Sequence, residues 1–156
     1  MTVEGFRDVV AAWHVGEKSA ADVVSAACDL VLAGIDGPAV CMLAGASPRN
    51  AHDEVLLLLE DALLELGLDH HEHHGDGAKV EGLRWKARLT LSGELPPHEL
   101  THWARLTFFG SLPEAGTLVD LSYHYRYFDH FGQSLDGLTG PELDERVLAE
   151  ARRLTA

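Results

Sequence analysis

Five consecutive large apolar residues, Val55-Leu56-Leu57-Leu58-Leu59, open a run that continues through Ala62, Leu63, Leu64 and Leu66. At helical spacing the leucines at 56, 59, 63 and 66 form one stripe, and Val55, Leu58 and Ala62 form an adjacent one. Asn50 can cap the first turn, with Asp53 three residues on as a variant capping box. Gly67 falls where a left-handed C-cap belongs. A helix apolar over so much of its circumference needs cover on at least two sides. The other segments are therefore expected to pack around Asn50–Leu66, with that helix the most buried.

Those segments also read as helices. Phe6, Val9, Val10 and Trp13 predict a first helix over Val3–His14, ended by Gly16. Ser19 caps a second, which turns Val23, Val24, Ala27, Leu30 and Val31 inward and stops at Gly34. A short apolar segment covers Ala39–Ala44. After Gly75-Asp76-Gly77 a basic amphipathic helix turns Leu83, Ala87, Thr90 and Leu91 inward and ends at Gly93. Pro96-Pro97 starts the next, carrying Leu100, Trp103, Ala104 and Phe108. Thr117 to Asp120 reads as a capping box for a helix with Leu118, Leu121, Tyr125 and Phe128. Within it Tyr123–Phe128 also alternates with period two, so a strand stays open there. Thr139-Gly140-Pro141-Glu142 opens the last helix. The expectation is all-α: a single compact bundle of about six to eight helices forming one domain over residues 1–156.

Charge is lopsided. Residues 1–78 hold 14 acids and three bases, Arg7, Lys18 and Arg49, for −11, whereas 79–156 hold 11 acids and nine bases, for −2. Between Asn50 and Ala78 there are eight acids and no Lys or Arg. Such a surface repels nucleic acid and membranes and attracts a basic protein partner, with Glu54, Asp61 and Glu65 on one stripe of the Leu-rich helix as the docking acids. A merely solubilising face accounts for the same charge. The N-terminus lacks the basic start and apolar run of a signal peptide, and no stretch is apolar enough to span a membrane, so the expected location is cytoplasmic. Cys28 and Cys41 lie in apolar surroundings and read as buried thiols, with a disulfide the alternative.

Two histidine-rich stretches could carry chemistry. Asp69-His70-His71-Glu72-His73-His74 can bind zinc or nickel from a loop through His70, His71, His73 and His74, or stand as an exposed turn with no ligand. His98-Glu99-Leu100-Thr101-His102 matches H-E-x-x-H. On a helix, histidines four apart share a face and both reach one zinc ion, while the Glu polarises a metal-bound water. Apart from zinc no cofactor is expected.

Gly116-Thr117-Leu118-Val119-Asp120-Leu121-Ser122-Tyr123 resembles the second motif of aspzincin metallopeptidases. That resemblance implies a zinc site of His98, His102 and Asp120, with Glu99 as base and Tyr123 as electrophile; the Gly that follows the family's Tyr is His124 here. Ala87–Trp103, centred on Ser92-Gly93-Glu94-Leu95-Pro96-Pro97, resembles small helical bacterial proteins, some of them immunity candidates beside toxins. This second resemblance implies a helical fold and no activity. Two readings stand: a non-catalytic interaction domain for a basic protein, and a zinc-dependent hydrolase built on residues 98–102.

Overall fold

The computed structural model describes residues 1–133 and 135–156. Among them are eight α-helices and no strand: α1 (Val3–His14), α2 (Ala20–Leu32), α3 (Pro38–Ala44), α4 (Ala51–Glu65), α5 (Asp76–Leu91), α6 (Pro97–Phe108), α7 (Gly116–Phe131) and α8 (Gly140–Thr155). The all-α expectation holds, and Tyr123–Phe128 is helical. No helix in the described residues is long and apolar enough to cross a membrane. The chain divides into two compact units, 1–82 and 83–156. The charge divides at the same place: the first unit has 15 acids and four bases, −11, and the second 10 acids and eight bases, −2.

In the first unit α2 packs against α1, α3 and α4. Its buried residues, Ala20, Val23, Val24, Ala26, Ala27 and Leu30, are mostly small, so neighbouring helices can come close on several sides. The hub is therefore α2, and the expectation that α4 holds that place is corrected. Helix α4 buries Ala51, Val55, Leu59, Ala62 and Leu63 against α2 and α3, while Leu56, Leu57 and Leu64 are 47%, 78% and 62% exposed. The reason is geometric. At about 100° per residue, five consecutive apolar side chains wrap more than a full turn, and packing on one side must leave some of them outside.

The starts of α4 and α7 also differ from expectation. Asn50 and Thr117 make no capping bond, because each helix is entered from a 3-10 turn, Pro48–Asn50 and Pro113–Ala115. Those turns supply their own bonds, Asn50 N–H to the Ser47 carbonyl and Ala115 N–H to the Leu112 carbonyl, both at 3.1 Å. Where a loop precedes the helix, side-chain caps form, at Ser19 as expected. Ser19 Oγ accepts the Asp22 amide, Asp22 accepts the Ser19 amide at 2.7 Å, and Thr139 Oγ1 accepts the Glu142 amide at 3.3 Å. Helix α3, headed by Gly37 and Pro38, has no side chain of its own for this. The Glu65 carboxylate at the end of α4 reaches over and accepts the amides of Ala39 and Val40, each at 3.0 Å.

Both cysteines are free thiols, and the expectation of burial fails for one of them. Cys28 is half-buried and donates to the Ala44 carbonyl, but Cys41 is exposed, because the short α3 turns only Val40 and Leu43 into the core. Gly82 marks a tight approach: a Cβ there would lie 2.1 Å from Cγ1 of Val15.

In the second unit α6, α7 and α8 pack on one another. Leu100, Ala104 and Phe108 of α6, Leu118 and Leu121 of α7, and Leu143, Val147, Ala151 and Leu154 of α8 are buried. Each fully buried Leu is worth roughly 1.5–3 kcal/mol over an exposed one.

Candidate functional site

Helix α1 ends in Trp13-His14, both buried. The loop after α4 then turns back across them. Its first bonds, Gly67 N–H to the Leu64 carbonyl and Leu68 N–H to the Leu63 carbonyl, stop the helix, and Gly67 takes φ +71°. Beyond it the four histidines separate. His70 Nδ1 lies 3.9 Å from Glu60, and His71 Nε2 lies 3.9 Å from Glu81. Gly77 leaves room for the His71 ring, since a Cβ there would stand 2.5 Å from His71 Nδ1. His73 goes inward and lies flat on the Trp13 indole, with ring centroids 3.8 Å apart and planes 4° from parallel. His74 follows at φ +70°, a left-handed conformation that His tolerates better than most residues.

His73 Nδ1 meets His14 Nδ1 at 3.0 Å. One of the two nitrogens must carry the proton, so the metal-free pair is one donor and one acceptor. His52, in the first turn of α4, sets its ring centroid 6.0 Å from that of His73, and the His74 ring lies 4.0 Å away. Four imidazoles from three segments thus gather around Trp13 in a cleft of about 520 Å³, with Lys18 and Arg49 also along it. Burial lowers the His14 pKa to about 4, helped by repulsion from His73, His71, His70 and His74. Burial likewise lowers that of His73, with His74 and His52 contributing. Both rings are neutral near pH 7.

The H-E-x-x-H pentapeptide sits in the first turns of α6, where helical spacing sets His98 and His102 on one face as expected. Both are exposed, as is Glu99. His102 Nδ1 is 3.1 Å from the Arg105 guanidinium, whose Nε donates to Ser122 Oγ at 2.9 Å. The His98 ring stands 6.2 Å from Tyr125, whose hydroxyl donates to Asp144 at 2.5 Å. Burial, and then that bond to a carboxylate, push the Tyr125 pKa up, so the phenol stays protonated. A cleft of about 540 Å³ here is lined by His98, Glu99, His102, Tyr125, Arg126, Asp129 and Asp144 among others. Asp120 and Tyr123 are exposed on α7 and do not line it; Tyr123 borders a separate groove with Tyr127 and Phe131. Among the described residues no three His, Cys, Asp or Glu side chains converge as a metal-holding group, here or at Trp13.

Of the three acids expected to dock a partner, Glu54, Asp61 and Glu65, two are occupied by their own unit. Glu65 holds the start of α3, and Glu54 accepts the Ser47 amide. Asp61 lies exposed between Leu57 and Leu64 on the outer face of α4. His14 and His52 were not picked out by sequence spacing. The residues they meet lie 59 and 21 positions away, and only a Trp-His end to an amphipathic helix hinted at one of them.

No family model, curated protein or solved structure matches the chain.

Proposed function

We propose that the first unit is a non-catalytic interaction domain that docks a basic protein through the outer face of α4, in the cytoplasm, as an immunity-like or regulatory partner would. The observation that carries this reading is the side-chain content of that face. Leu57 and Leu64 are 78% and 62% exposed, Leu56 is 47% exposed, and Asp53, Glu60 and Asp61 stand among them. Exposed leucines supply anchors that a solubilising surface does not need, and the acids select the partner's sign. Glu54 and Glu65 contribute to the field while their carboxylates hold backbone amides.

A synthetic amphipathic leucine/lysine helix is a suitable probe. Its binding, followed by fluorescence anisotropy, is expected to weaken steeply as salt rises, and to weaken further for Asp61→Lys or for Leu57→Ser with Leu64→Ser. Binding indifferent to salt and to both variants would overturn the reading.

A further inference from the structure

We propose that His14 and His73 are two ligands of a site for a borderline divalent cation of the zinc, nickel or copper(II) class, completed by His52 or His74. The argument starts from the 3.0 Å between the two Nδ1 atoms. At metal–nitrogen distances of about 2.0–2.1 Å, two cis ligands with an angle near 90–110° hold their nitrogens ~2.9–3.4 Å apart. The pair already has that spacing. A cation entering between the rings needs both Nδ1 lone pairs, so the proton that joins them moves to the outer nitrogen, Nε2, of the donor ring and none is lost.

The surroundings fix the pair as a ligand pair should be fixed. His73 is held in plane by the parallel Trp13 indole, and His14 is buried at the end of α1, so neither ring has to be ordered on binding. The site has two preset ligands and needs a third. His52 and His74 are both exposed, with ring centroids 6.0 and 4.0 Å from that of His73. An all-imidazole set selects against magnesium and calcium, which take oxygen ligands. Lys18 and Arg49 on the same cleft oppose a cation, whereas the −11 charge of the unit favours one. Both side chains are exposed, where water screens them. This assignment differs from a loop site in what it requires: His14 and His52 lie outside the 69–75 segment, while His70 and His71 point to Glu60 and Glu81.

Zinc titration of the untagged protein by calorimetry tests it, with His73→Phe as the decisive variant. Phenylalanine keeps a flat ring for Trp13 to stack on and removes the nitrogen, so the fold is spared. The expected result is about one zinc per chain for the parent, at least tenfold weaker binding for His73→Phe, and unchanged binding for His70→Ala with His71→Ala. Copper(II) bound to the parent should show nitrogen hyperfine structure in electron paramagnetic resonance, lost in His73→Phe. Zinc binding that survives His73→Phe, or that disappears with His70 and His71, would overturn the site. So would a cleft that takes up inorganic phosphate and no zinc, since Lys18 and Arg49 would then define it.

Discussion

The last turn of α1 and the first turn of α6 each present a histidine to a second one, by opposite routes. In α6 the partner is four residues along the same helix, and the helix alone guarantees that His98 and His102 share a face. In α1 the partner of His14 is 59 residues on, and only the folding of a loop over Trp13 brings it within 3.0 Å. The local pair is exposed, and one member leans on Arg105. The long-range pair is half-buried or better, with His73 stacked on an indole, and is kept uncharged by its setting. Spacing within a helix sets geometry cheaply but does not supply the surroundings that tune a side chain. Tertiary contact supplies those surroundings, and leaves no local mark in the sequence.

The contrast can be broken or sharpened by substitution. Trp13→Ala removes the platform of the long-range site and a buried indole, and should cost about 3–5 kcal/mol in denaturant melts. A loss under 1 kcal/mol would mean the stack is ornamental. Next in size is acid. His14 in the fold stays neutral down to about pH 4, while in the unfolded chain it takes a proton near its ordinary pKa of 6.5. The unfolded state then binds more protons across that window, so stability of the first unit should fall by about 3 kcal/mol from pH 6.5 to 4 and level off below. His14→Gln should flatten that slope; an unchanged slope would assign the effect elsewhere. In the second unit, Tyr125→Phe gives up the bond to Asp144 and should cost roughly 1–2 kcal/mol, seen as a lower urea midpoint. His98→Ala sits at the foot of the scale, expected within about 0.5 kcal/mol of the parent. A large loss there would show that the α6 pair has a role the geometry hides.

The helices themselves were legible because each carries its own signals. Ser19 caps α2 as expected, the stretch from Thr139 opens the last helix, α1 begins and ends at Val3 and His14, and the leucines at 83 and 100 are buried as their periodicity requires. The departures from expectation share a cause. Asn50 and Thr117 have the side chains of caps but follow 3-10 turns that make caps unnecessary. The Leu-rich run of α4 is hydrophobic around the whole helix, the mark of a central element, whereas centrality goes to the small-residue surface of α2. The candidate site was half legible. His73 and His74 stood out by composition, but nothing local tied them to His14 or His52.

The clasp between Glu65 and the first amides of α3 has a further consequence. A carboxylate at a helix C-terminus is poorly placed for its own helix, and an uncapped N-terminus such as that of α3 is equally short of a partner. Each end relieves the other, and Gly37 is needed for the approach because a Cβ there would lie 2.4 Å from the carboxylate. The two helices should therefore breathe together. In native-state hydrogen exchange the amides of Ala39 and Val40 should open with the same free energy as the last turn of α4, as one cooperative element, although 25 residues of chain separate Val40 from Glu65.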